Sequence, residues 1–140
     1  MVFGRPTTKL FASDGEGLPS VVLAEKEAME EILQEYNEVG REETGYVVID
    51  VRGRDEVEAT GGVLSPNAYT IPVQEIDQAL SMDSEDFLET YGFAKPDPEE
   101  TIVFSCLSGM RAKMAAQSAA SMGFQNLVVY VGGAKEWFGL

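Results

Sequence analysis

The sequence contains no histidine and a single cysteine, Cys106. The absence of histidine excludes Ser-His-Asp and Cys-His catalysis, and it excludes the zinc sites that depend on imidazole ligands. A lone cysteine cannot form an intrachain disulfide, a C-x-x-C redox pair or a cysteine-rich metal site. Any chemistry that uses Cys106 as a nucleophile must therefore work without an imidazole base, and we expect no metal and no cofactor.

Basic residues and long apolar runs are also scarce. The chain has 10 basic against 24 acidic residues, for a net charge of -14. Phosphate binding needs a clustered basic face, so this balance argues against a nucleic-acid partner and against anionic membranes. The sequence has no run of the roughly eighteen consecutive apolar residues that a transmembrane helix requires. The acidity itself is most simply explained by solubility.

The length of 140 residues and the hydrophobic fraction of 44% are typical of one compact domain with a real core. Residues 1–19 are predicted to form an irregular N-terminal lead-in, and residues 20–140 a single domain. The first thirteen residues contain Arg5 and Lys9 but no acid. They are interpreted either as a plain polar tail or as a targeting segment. The expected compartment is accordingly the cytoplasm, with the mitochondrion as the alternative, and the expected state is a monomer.

Short apolar runs alternate with helical patterns along the chain. We predict helices over Ala24–Val39, Val73–Leu80, Asp83–Tyr91 and Met110–Met122, with Gly40 and Gly123 as the ends of the first and last. We predict strands over Tyr46–Ile49, Ala68–Ile71, Thr101–Phe104 and Leu127–Val131, and a terminal helical turn containing Trp137. This alternation predicts a three-layer α/β domain with a central, mainly parallel sheet flanked by helices.

Ligands of such sheets bind beyond the carboxyl ends of the strands. The segments that meet this condition are Asp50–Arg52, Pro72, and Cys106 with the residues after it. At Cys106 a strand ends and a helix begins within a few residues, and Gly109 allows a tight turn. The backbone amides of Leu107 to Arg111 are predicted to form an anion cradle that stabilises a thiolate without histidine. The competing interpretation is that Cys106 is a small core residue.

Three motifs then identify a family resemblance that covers most of the chain, from Tyr46 to Phe138. "DVRGRDE", "CLSGMR" and "GGAKEW" resemble the first signature, the active-site loop and the closing motif of the rhodanese family. The stretch "IPVQEIDQALSMDSEDFLETYGFAKP" is similar to the single-domain thiosulfate sulfurtransferases that use glutathione as acceptor. The resemblance implies a rhodanese-like fold and a sulfurtransferase.

The resemblance also implies roles for individual residues. Cys106 would take the sulfane sulfur of thiosulfate, expel sulfite, and pass the sulfur from a persulfide to glutathione, a thioredoxin-like thiol or cyanide. Arg111 would brace the loop or meet the anion. Substrate-binding positions would be Leu107, Ser108, Gly109, Met110 and Arg52, while Asp50 and Arg52 would also fix the strand end through a salt bridge. Glu56 and Trp137 are interpreted as structural.

The sequence departs from the family pattern in two places. The segment Thr60–Ala68 is longer than is usual in the family and lacks its histidine, which puts the loop geometry in question. The active-site loop has uncharged residues where relatives often carry a basic one, namely Leu107, Ser108 and Met110. Together with the net charge of -14, this predicts a modest affinity for thiosulfate that worsens at low salt.

Two other functions compete with this interpretation. A Cys-Arg phosphatase needs five residues between cysteine and arginine, whereas Cys106 and Arg111 enclose four. A non-turnover persulfide carrier or a regulatory module of the same fold is the second alternative. A carrier would load sulfur and release it slowly to small thiols, and a regulatory module would not load.

Overall fold

The computed structural model describes residues 10–11 and 21–140. Along the chain the strands are β1 (Leu10–Phe11), β2 (Val21–Ala24), β3 (Tyr46–Asp50), β4 (Tyr69–Thr70), β5 (Thr101–Ser105) and β6 (Asn126–Tyr130). The α-helices are α1 (Lys26–Thr44), α2 (Arg54–Ala59), α3 (Ile76–Ser81), α4 (Ser84–Tyr91), α5 (Met110–Ser121) and α6 (Gly133–Phe138), and a 3₁₀ turn spans Val73–Glu75. No helix in this part of the chain is both long and apolar enough to cross a membrane.

The strands form one sheet in the order β1-β2-β6-β5-β3-β4. β1 pairs antiparallel with β2, and all the other neighbours are parallel. β5 lies near the middle, and its Val103 pairs with Val48 of β3 and Val128 of β6. Every residue of β3 and β5 is buried, as expected for central strands that are covered on both faces.

Helices cover both faces of the sheet and enclose two apolar clusters. On one face Ile102 and Phe104 pack with residues of α3 and α5, together with Phe87 of α4. On the other face Val103 packs with residues of α1 and with the half-buried Trp137 of α6. The predicted three-layer α/β architecture with a mainly parallel sheet is therefore confirmed, and Trp137 contributes to packing as expected.

Several predicted boundaries are wrong. Ala24 is the last residue of β2 and pairs with Tyr130, so the first helix begins at Lys26 rather than at Ala24. Gly40 does break the regular helix, as predicted, because its φ of +86° and ψ of 177° are not helical. One further turn follows it, ends at Thr44 and is capped by Gly45 in the left-handed conformation. The apolar pattern did not reveal β2 because its four residues, VVLA, are a short apolar run without alternation.

Two further elements were not predicted. Residues Leu10–Phe11 form a strand inside the segment for which the sequence predicted an irregular lead-in, and they pair with Val21–Val22. The other residues of that segment lie outside the described part of the chain, and its boundary with the domain stays a prediction. α2 is only six residues long, and its sequence RDEVEA has too few apolar positions to show a helical period.

Candidate active site

Cys106 lies directly beyond the carboxyl end of β5, where the sequence analysis expected a ligand site. Cys106 is 1% exposed, and its Sγ accepts hydrogen bonds from the backbone N–H of Gly109 at 3.0 Å and of Ala112 at 3.4 Å. Ala112 is the third residue of α5, and the amides of the first helical turn have no partner within the helix. The sulfur is thus held by two backbone amide donors at a helix N-terminus.

Gly109 shapes the turn between β5 and α5. Its φ is +96°, and a Cβ at this position would lie 2.6 Å from the carbonyl oxygen of Val131. Both the left-handed backbone and this close approach exclude a side chain. The turn brings the Gly109 amide back onto the sulfur three residues earlier, so the glycine creates the hydrogen-bonded loop.

The start of α6 holds the other side of the loop. The N–H of Ala134 donates to the carbonyl of Cys106 at 2.8 Å, and the N–H of Lys135 donates to the carbonyl of Leu107 at 2.9 Å. In a trans peptide the N–H points opposite to the C=O. The amides of Leu107 and Ser108, which share these two peptide planes, therefore point away from α6. This is the physical role of the "GGAKEW" segment at the site.

Gly133 allows this contact between α6 and the loop. Its φ is +64°, and a Cβ would lie 2.3 Å from the carbonyl oxygen of Leu107 and 2.6 Å from that of Cys106. No side chain fits there without moving α6 away from the loop. Close approach of the two backbones is therefore tied to glycine at this position.

Arg111 is fixed by Glu56 of α2. Its Nη1 and Nη2 donate to Oε1 and Oε2 of Glu56 at 2.8 and 2.7 Å. Glu56 Oε1 also accepts from the N–H of Gly53 at 3.1 Å. The hydrogen bond from Arg111 lowers the pKa of Glu56 to about 2, so the pair stays charged at neutral pH. Of the two roles expected for Arg111, bracing the loop is the one that this geometry supports, and Glu56 is its structural partner.

The expectation that Arg52 binds substrate does not fit its surroundings. The Arg52 side chain is fully buried. Its Nε and Nη2 donate to the Asp50 carboxylate, and Nη1 and Nη2 donate to Thr60 and to the carbonyl of Gly62. All five guanidinium donors are used in this way, so none is left for an anion. The predicted Asp50–Arg52 salt bridge is present, at 2.6 Å.

The other predicted loop residues lie where the sequence placed them, between β5 and α5. Gly109 is buried, Leu107 is half-buried, and Ser108 and Met110 are exposed. A contact between their side chains and a substrate stays a prediction. The Ala112 amide was not among the predicted donors. The available signal was the helix start after Gly109, because the first amides of a helix point back towards the preceding loop.

A family model described as "Rhodanese-like domain" matches residues 30–140. A human protein named thiosulfate:glutathione sulfurtransferase is 40% identical over 91 residues, which cover 64% of this chain and 76% of that protein. A fission yeast (Schizosaccharomyces pombe) protein named putative thiosulfate sulfurtransferase, mitochondrial, is 37% identical over 91 residues. These cover 65% of this chain and 62% of that protein, so the match spans less than two thirds of the yeast protein.

Among solved structures, the human single-domain sulfurtransferase TSTD1 superposes with a TM-score of 0.71 at 30% identity. The superposition covers 84% of this chain and 95% of that one. The fold, the family model and the named relatives agree with the motif-based resemblance, and they confirm the expected enzyme class, a rhodanese-type sulfurtransferase. The chain belongs to the rhodanese family.

Proposed function

We propose that this protein moves the sulfane sulfur of thiosulfate to a thiol acceptor such as glutathione through a persulfide on Cys106. The observation that carries the proposal is the pair of backbone amides, from Gly109 and Ala112, that donate to Sγ of Cys106. A cysteine that only fills a core has no need of two amide donors at a helix N-terminus. The names of the relatives support thiosulfate as donor and glutathione as acceptor.

In the first half-reaction the Cys106 thiolate attacks the outer sulfur of thiosulfate. The S–S bond of thiosulfate breaks, and sulfite leaves with the bonding electron pair. The product is a Cys106 persulfide, whose terminal sulfur carries the negative charge. We assign the stabilisation of that charge to the loop amides, which include those of Leu107 and Ser108 because α6 turns them away from itself.

In the second half-reaction an external thiolate attacks the terminal sulfur of the persulfide. The S–S bond of the persulfide breaks, the acceptor leaves as its own persulfide, and the Cys106 thiolate is restored. The acceptor thiol comes from outside the chain because Cys106 is its single cysteine. Arg111 holds the loop in shape during both steps through its bidentate contact with Glu56.

Intact-mass measurement tests this proposal directly. Reduced protein is treated with thiosulfate and desalted, and its intact mass is measured before and after addition of glutathione. We expect a gain of one sulfur atom that glutathione removes, and no gain in a folded Cys106→Ser variant. Because the chain has one cysteine, any gain that the variant loses is assigned to Cys106 without peptide mapping.

The other outcomes separate the alternatives. Sulfur that loads but leaves slowly with small thiols would favour a persulfide carrier for one protein acceptor. A folded, reduced protein that gains no sulfur would overturn the thiosulfate proposal and favour a module that does not turn over.

We propose the mitochondrion, beside the cytoplasm, as the compartment of this protein, because the fission yeast relative is named mitochondrial. Localising the full protein tests this proposal.

A further inference from the structure

Arg54 carries an exposed guanidinium at the sheet edge that holds Cys106. It is the first residue of α2, and its side chain is 56% exposed. Its Nη1 and Nη2 donate to the Glu75 carboxylate at 2.9 and 3.2 Å. Glu75 also accepts from the hydroxyl of Tyr91 at 2.9 Å. The Arg54–Glu75 pair therefore joins the segment after β3 to the segment after β4.

Backbone hydrogen bonds place both segments beside the active-site loop. The N–H of Val51 donates to the carbonyl of Ser105 at 2.7 Å, next to the nucleophile. The N–H of Val73 donates to the carbonyl of Val51 at 3.0 Å, which aligns the 3₁₀ turn that ends at Glu75. β3 and β5 are neighbouring parallel strands, and Arg54 begins α2 four residues after β3 ends. Arg54 therefore lies at the same carboxyl edge of the sheet as Cys106.

Its two neighbouring arginines are committed elsewhere. Arg52 is buried with every donor used, and Arg111 is 33% exposed and bound in bidentate fashion to Glu56. Arg54 is the most exposed of the three, and an exposed ion pair is weak because water competes for both partners. An anion at this edge of the sheet would therefore replace Glu75 at low cost. The hydroxyl of Tyr91 also donates to Glu75, so the carboxylate would keep one partner.

We propose that Arg54 recruits the anionic group of a substrate to Cys106 by releasing Glu75. This inference rests on the proposed function. Both substrates carry an anionic group that Arg54 can bind: thiosulfate has its SO3 end, and glutathione has its carboxylates. In a chain of net charge -14, a cation at the same edge of the sheet as Cys106 offsets the repulsion that both anions experience.

Steady-state kinetics with Arg54→Gln tests the proposal. We expect KM for the recruited substrate to rise about fivefold, the effect of one partly exposed charge contact, while kcat changes less than about twofold. A rise for thiosulfate at saturating glutathione identifies the donor. A rise for glutathione, without one for the uncharged thiol 2-mercaptoethanol, identifies the acceptor carboxylates. Glu75→Gln frees Arg54 and lowers the same KM.

Arg41→Gln is the matched control. Arg41 also forms a bidentate pair, with Glu100, but it is only 17% exposed, and Glu100 directly precedes β5, at the amino end of the sheet. The control removes the same charge far from Cys106, so its KM values stay at the wild-type level. The exposed cation Lys113 is tested in the same way, and Lys113→Gln changes KM less than Arg54→Gln does.

Unchanged KM values in Arg54→Gln would overturn the proposal, as would an equal rise in the Arg41 or Lys113 variant. Failure of recruitment is distinguishable from failure of the proposed function. If the wild-type protein gains no sulfur from thiosulfate in the mass assay, the function itself fails. If wild type and Arg54→Gln both load at saturating thiosulfate and have the same KM values, the function stands and recruitment by Arg54 is wrong.

Discussion

Replacement of Gly133 by alanine should separate the loop from α6. The new Cβ would lie 2.3 Å from the Leu107 carbonyl oxygen and 2.6 Å from that of Cys106. Both atoms are backbone and cannot rotate away, so α6 must move. That movement weakens the hydrogen bonds from Ala134 and Lys135 to the same two carbonyls.

The expected cost follows from two contributions. A non-glycine residue at φ +64° costs about 1 kcal/mol. Overpacking, or the lost hydrogen bonds that relieve it, adds about 1–3 kcal/mol. We therefore expect Gly133→Ala to lower the free energy of unfolding by about 2–4 kcal/mol. Gly92→Ala is the matched control, because Gly92 has φ +80° with no atom within 4 Å of a Cβ, and it should lose about 1 kcal/mol.

Urea unfolding at pH 7 measures both variants. Trp137 is the single tryptophan and belongs to α6, so its fluorescence reports on the element that must move. Folded Gly133→Ala should also load sulfur more slowly than Gly92→Ala, because the orientation of the Leu107 and Ser108 amides depends on α6. Equal losses of stability in the two variants would refute the argument from close approach. Normal loading in a destabilised Gly133→Ala would refute the link between α6 and the loop amides.

Three further predictions concern charge. Glu56→Gln should lower the free energy of unfolding by about 1 kcal/mol at pH 7, a value reduced for partial exposure, and the difference from wild type should disappear as pH falls. The folded-state pKa of Glu56 is lowered from 4.5 to about 2, so its contribution to stability is complete above about pH 4.5 and is lost towards pH 2. Urea titrations in which the difference does not change with pH would contradict this. Arg52→Leu should lose about 3–5 kcal/mol, because it leaves the buried Asp50 carboxylate unpaired. Adding Asp50→Asn should restore part of that loss, and a loss below about 1 kcal/mol in the single variant would be inconsistent with the pairing. Finally, raising ionic strength from about 0.01 to about 0.15 M shortens the Debye length from about 30 to about 8 Å. This weakens the repulsion between the acidic protein and thiosulfate, so KM for thiosulfate should fall. A KM that rises with salt would refute net repulsion.

The strand-helix alternation after Tyr46 was predictable because it depends on local patterns. Buried parallel strands are short apolar runs, and the runs at β3, β5 and β6 were identified to within a residue at each end. The elements that the sequence did not reveal are the short ones. β2 and α2 have too few residues to show a period, and tertiary pairing with β6 and with Arg111 stabilises them instead.

The site divides in the same way. The sequence alone determined the nucleophile candidate, since Cys106 is the single cysteine, and it determined the turn at Gly109 and the start of a helix after it. Each of these depends on residue type or on spacing within a few positions. The absence of histidine likewise excluded an imidazole base without any structural information.

Only the tertiary structure decided which groups meet Cys106 and which of Arg52 and Arg54 is buried. Glu56 and Arg111 are 55 positions apart, and α6 contacts the loop from the far end of the chain. Burial removed Arg52 from the candidate substrate contacts, although its charge and its position after β3 had made it a plausible one. Contacts between distant segments depend on strand order and register, and one-dimensional spacing contains neither.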